Sequence, residues 1–276
     1  MSWANEVTGK QHWTLDSIPW HKLRRECVAD SEELFYMVAT ASFIETASDL
    51  YARNLVQHFA GNREVSEWLE YAWEPEELQH GRALREYVRQ AWPEFDWETQ
   101  YARFFEDNAA VCKPELLQPE RSLELVSRCV VEMGTASYYT ALHRASAEPV
   151  LMQLTQNIFE DEVGHYKYFY RYFRHYRDIE NPSRIQILGA LWNRLKLIDQ
   201  EDGYIVLKHI HSTRHPDQAY GKAAYKDAMA RCRKLAARHF PYRMSVNMLL
   251  KPLEMAPIVR WVAQPMALGM ARLVIS

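Results

Sequence analysis

Residues 73–81 read Trp-Glu-Pro-Glu-Glu-Leu-Gln-His-Gly, and residues 161–165 read Asp-Glu-Val-Gly-His. Each contains Glu-x-x-His: Glu77 with His80, and Glu162 with His165. On a helix, residues three apart share a face and lie one turn apart. A single Glu-x-x-His arises by chance about once in a chain of this composition. The weight therefore falls on what surrounds the two copies. Glu45 lies 32 residues before Glu77, and Glu132 lies 30 residues before Glu162. The chain thus looks like a duplicated helical hairpin, each copy carrying a glutamate and then a Glu-x-x-His.

Outward from these motifs, apolar residues recur at helical spacing and strand-like alternation is scarce. The spacing predicts helices over residues 31–60, 63–91, 120–147 and 149–177. Gly61-Asn62, Trp92-Pro93, Pro149 and Asn181-Pro182 punctuate them. Residues 93–119 hold Pro93, Pro114 and Pro119 around a shorter helical piece at 98–111. The expected fold is all-α: a four-helix bundle over residues 31–180 with one long crossover connection. Residues 1–30 read as an N-terminal extension, and 181–276 as a basic extension of additional C-terminal helices.

The helix stripes carry costly residues. Glu45 falls among Val38, Ala41, Ser48 and Ala52, and Glu77 and His80 among Trp73, Leu84 and Tyr87. Glu132 falls among Leu125, Cys129, Ala136 and Tyr139, and Glu162 and His165 among Leu154, Ile158, Phe169 and Tyr172. Unpaired buried carboxylates neutralise or cost several kcal/mol. Two histidines cannot balance four of them, whereas bound dications can. Carboxylates bridge metals and change their ligation as metal charge changes, and imidazole tolerates ferrous and ferric iron. The donor set suits two iron ions, and manganese as well. Glu77 and Glu162 are assigned as bridging ligands, Glu45 with His80 to one metal, and Glu132 with His165 to the other. Gly81, Gly134 and Gly164 sit in the motifs, marking either close helix approach or room for a ligand.

At these residues the chain resembles the soluble acyl-acyl-carrier-protein desaturase branch of the ferritin-like di-iron superfamily. Trp73 to Gly81 resembles that family's W-x-x-E-E-x-x-H-G, and Asp161 to His165 its D-E-x-x-H. Glu132-Met133-Gly134-Thr135 resembles E-x-x-T, and Ile44-Glu45-Thr46-Ala47 with Tyr51 matches the first helix. The likeness covers about residues 31–178. It implies that Asp161 orients His80, that Thr135 hands a proton to partly reduced oxygen, and that Trp73 packs beside the metals. It implies an O2-dependent non-haem di-iron oxidoreductase acting on a C–H bond, by default of an acyl chain or similar slender substrate. Electrons would come from an external donor such as ferredoxin, an acidic acyl carrier protein would dock on the basic extension, and the protein would be a homodimer. The alternatives are a di-iron tRNA-modifying hydroxylase and a non-catalytic ferritin-like iron-binding protein. Pro75 departs from the pattern and is expected to kink or break the helix just before Glu77.

Composition bounds the rest. With 48% hydrophobic and 25% charged residues, wholesale disorder is excluded. Only 9 glycines disfavour a fold built on tight turns or Gly-rich phosphate loops. Cys27, Cys112, Cys129 and Cys232 form no C-x-x-C pair, so a reducing compartment is the default. Met1 to Lys10 is polar without a signal-like apolar core, and no run of about 18 apolar residues is seen. The expectation is a cytoplasmic protein with no transmembrane segment. The net charge of −3 is uneven: residues 205–276 carry 12 Lys and Arg against 3 Asp and Glu. There, 183–211 read as a helix and 219–239 as a basic helix (Lys222, Lys226, Arg231, Arg233, Lys234, Arg238), and 244–276 is apolar. This stretch either packs on the protein or a second subunit, or meets an acidic partner or membrane surface. His209, His211 and His215 read as surface histidines.

Overall fold

The computed structural model of the chain describes residues 13–110, 117–197 and 203–275. Every regular element among them is helical, and no strand occurs there. Cys112 and residues 1–12 lie outside the described residues. The chain divides into two units that interleave along the sequence. The first takes Met1–Leu116, Ser146–Asn157 and Glu201–Cys232. The second takes Leu117–Ala145, Ile158–Gln200 and Arg233–Ser276.

In the first unit, α1 (Glu32–Thr46) begins at Ser31, whose hydroxyl accepts from the Leu34 amide. It is buried almost all round, as its apolar run from Leu34 to Phe43 requires. The expected helix 31–60 is interrupted at Ala47 and resumes as α2 (Ser48–His58). Two side chains bond back to the helix just before the break. Ser42 Oγ donates to the Ala39 carbonyl at 2.7 Å and Thr46 Oγ1 to the Ser42 carbonyl at 2.6 Å, a pattern that bends helices. The next run starts at α3 (Arg63–Trp68), capped by Asn62. It widens into a π turn over Leu69–Trp73 and continues as α4 (Glu74–Ala91). Trp73 and Glu74 keep helical dihedrals, so the run continues through the expected break. Pro75 cannot donate to the carbonyl one turn back, and its ring would clash there. The wider turn relieves this and leaves Pro75 in the first turn of α4.

Helix α5 (Trp97–Ala109), capped by Asp96, fills the expected crossover. Trp97 Nε1 donates to Ser42 Oγ at 2.8 Å, and Phe43 is ringed by Phe95, Trp97, Tyr101 and Phe104. The buried Ser42 hydroxyl thus ties α5 to α1.

In the second unit, α6 (Arg121–Ala145) starts where Glu180 accepts from the Arg121 and Ser122 amides, at 3.2 and 2.8 Å. Helix α7 (Pro149–Glu180) begins in the first unit and contributes its residues from Ile158 onward to the second. Next comes α8 (Arg184–Leu197). Two further helices follow outside the bundle expectation. Helix α9 (Gly203–Arg214) belongs to the first unit, and α10 (Lys222–His239) runs from the first into the second. The expected helix 183–211 is therefore two helices, with 198–202 outside the described residues.

The apolar stretch 244–276 folds as α11 (Tyr242–Leu250), a 3-10 turn (Lys251–Leu253) and α12 (Pro257–Ile275). Ser137 on α6 and Ser245 on α11 share a buried 2.6 Å hydrogen bond. By length and composition alone, α12 is long and apolar enough to cross a membrane. Arg260 and Arg272 interrupt its apolar run near the two ends.

Candidate metal centre

In the first unit, α1 supplies Glu45 and α4 supplies Glu77 and His80. Each offers a ligand atom, and these atoms lie within 4.8 Å of one another. His80 Nδ1 is 3.8 Å from Glu45 Oε2. The two helices meet here because Gly81 has no side chain. A Cβ at Gly81 would lie 2.6 Å from the Thr46 backbone nitrogen. This glycine therefore marks a close approach between residues that neighbour two candidate ligands, His80 and Glu45. Gln79 Nε2 donates to the Trp13 carbonyl at 2.9 Å, and the Trp13 ring stacks over His80 (centroids 6.1 Å apart, planes 3° apart). Sequence reading missed Trp13, because a contact across 67 positions from an aperiodic segment leaves no local signal.

In the second unit, α6 supplies Glu132 and α7 supplies Glu162 and His165, and again their ligand atoms lie within 4.8 Å. His165 Nδ1 is 3.4 Å from Glu132 Oε2 and 3.8 Å from Glu162 Oε2. Thr135 Oγ1 lies 2.6 Å from Glu162 Oε2 and donates to it, while also lying 3.2–3.3 Å from the Val131 and Glu132 carbonyls. Thr135 thus reaches a candidate ligand as well as its own helix. Gly164 differs from Gly81: an added Cβ would meet nothing within 4 Å.

Both triads contain two carboxylates and one imidazole, and each imidazole turns Nδ1 toward carboxylate oxygen. All six residues are at most 8% exposed, so water does not solvate their charge. Burial pushes the Glu132 carboxyl up to about 8. The nearby His165 pulls it down and the Glu162 charge pushes it up again. The donor set fits a dication on three counts: oxygen and nitrogen ligands, burial, and separation. Two ligands at about 2.1 Å from one ion sit roughly 3.0–3.4 Å apart, near the 3.4 and 3.8 Å found here.

The remaining expected site residues are placed as follows. Asp161 is buried in the second unit, and Trp73 is buried on the π turn of the first. Cys129 is buried one turn before Glu132, and its thiol is pushed well up by desolvation. Among the described residues Cys27, Cys129 and Cys232 are free thiols.

The three histidines expected at the surface are not simply there. His209 and His211 are buried. His209 Nε2 is 2.9 Å from Asp107 on α5. His215 Nε2 is 2.5 Å from Glu32 Oε1, and Glu32 also accepts from Tyr36 at 2.7 Å and pairs with Arg231. One of the six cations of the basic helix thus points inward.

No known protein-family model and no curated protein matches this chain.

Proposed function

We propose that the chain is an O2-dependent non-haem di-iron oxidoreductase of the ferritin-like type, acting on a C–H bond of an acyl chain or similarly slender substrate. In this reading α1, α4, α6 and α7 are the four helices of a bundle, and the two triads share one dinuclear centre. Glu77 and Glu162 would be held in common by the two ions, Glu45 and His80 would hold one of them, and Glu132 and His165 the other. The observation that carries the reading is the recurrence of one buried triad, a glutamate plus Glu-x-x-His, in both halves of the sequence. Bound iron would supply two electrons toward O2, which none of the protein's own side chains can do.

The chain's own residues do the rest. Glu132 would release its proton where a cation took its place. His80 and His165 present Nδ1. The Thr135 hydroxyl holds its proton at Glu162 Oε2, at the edge of the triad, where it can move toward a reacting oxygen. Asp161 positions the His80 ring in this reading, as ligand histidines require. The test is metal content with magnetic spectroscopy on Glu77→Ala and Glu162→Ala. Two coupled ions per chain in the parent, and loss of coupling in both variants, is the expected result. Two uncoupled ions, or unchanged metal in either variant, would refute the shared centre.

A further inference from the structure

Helix α12 has no buried side chain. Ile258, Val262, Met266, Met270 and Leu273 recur at steps of four, four, four and three, and all are at least half exposed. Val259 and Val274 lie beside them and are equally exposed. At about 100° per residue, these seven occupy one stripe roughly 160° wide. The opposite side faces protein: Gln264 Nε2 donates to Asn247 Oδ1 on α11 at 2.8 Å. Arg260 and Arg272, both exposed, fall about 40° beyond the two edges of the stripe. Trp261, 74% exposed, sits on the Arg272 edge. The helix contains no Asp or Glu, and residues 205–276 carry 12 cations against 3 acids.

We propose that α12 lies in the surface of an anionic lipid bilayer, stripe down among the acyl chains and both arginines at the phosphates. An apolar face bordered by cations and an interfacial tryptophan is the pattern of an in-plane membrane helix. Crossing is disfavoured by the arginines near both ends of the helix. The uncharged run between the arginines is eleven residues, 261–271, about 16 Å of helix against a hydrocarbon core of about 30 Å. A second copy of this chain is disfavoured by charge. A two-fold pairing through α12 would bring four arginine edges together with no carboxylate from the helix. Glu254, the acid nearest in sequence, already pairs with Arg177 and accepts from Tyr170 at 2.9 Å. This inference does not depend on the metal centre.

The test is flotation of the full-length protein with phosphatidylglycerol-containing vesicles and with pure phosphatidylcholine vesicles. The protein is expected to float with the anionic vesicles and to be released by alkaline carbonate. Arg260→Gln and Arg272→Gln should each weaken binding about fivefold, and together about 25-fold. Met266→Asp with Met270→Asp should abolish it while helicity by circular dichroism stays at the parent value. Absence from the anionic vesicles overturns the proposal. So does resistance to carbonate, which indicates a spanning helix. A dimer that the double aspartate variant splits, with no flotation of the parent, overturns it in favour of a second copy.

Discussion

Substituting Gly81 by alanine probes how α1 and α4 position the first triad. The new Cβ would meet the Thr46 nitrogen at 2.6 Å and its Cα at 2.7 Å, both main-chain atoms that cannot swing aside. Ordinary contact begins near 3.4 Å, so the two helices must part locally by about 0.8 Å, an overpacking that costs about 1–3 kcal/mol. Alanine returns up to about 1 kcal/mol of helix propensity. The net loss is about 1–2 kcal/mol, a fall in Tm of several degrees for units of this size. Glu45 precedes Thr46 by one residue, so the displacement carries it away from Glu77 and His80, and metal per chain should fall as well. Gly164→Ala is the control: its Cβ meets nothing, and the variant should be equally or more stable by up to about 1 kcal/mol. Thermal unfolding and elemental analysis on both variants decide the matter. Parent-like Tm and parent-like metal in Gly81→Ala would refute the claim that this contact sets the triad.

Thr135→Val removes the donor to Glu162 and should lower metal-free stability by about 1–3 kcal/mol, with metal content unchanged and product formed per O2 consumed reduced. The metal-free protein keeps a proton on Glu132 that the unfolded chain loses above pH 4.5. Its stability should therefore fall as pH rises from 4.5 toward 8, and metal loading at pH 7 should release protons in a pH-stat. Glu32 behaves oppositely. Burial raises its pKa, but bonds from His215, Tyr36 and Arg231 outweigh this and bring it down to about 2. Its contribution is present above pH 4.5 and is lost as pH falls toward 2, and denaturant titrations of Glu32→Gln should show a flatter acid limb.

The sequence made the two triads readable because Glu-x-x-His and apolar spacing are both local: one turn of helix brings Glu77 to His80 and Glu162 to His165. Glu45 and Glu132 followed from stripe position and matching intervals. What stayed hidden depended on distant or partner-specific contacts. The break at Ala47 coincides with back-bonding by Ser42 and Thr46 and with the approach of Gly81 from another helix. Trp13 reaches His80 from a segment without periodicity. His209 and His215 read as solvated until Asp107 and Glu32 come to them. Pro75 is disruptive by its chemistry, but a π turn rather than a break accommodates it, a choice that composition does not determine.

The central claim rests on metal. Anaerobic loading with ferrous iron, metal counted per chain, then rapid mixing with O2 under visible spectroscopy tests it most directly. The account predicts two irons per chain and a transient absorption. Fewer than about one metal per chain, with the six candidate ligand residues intact, would contradict it.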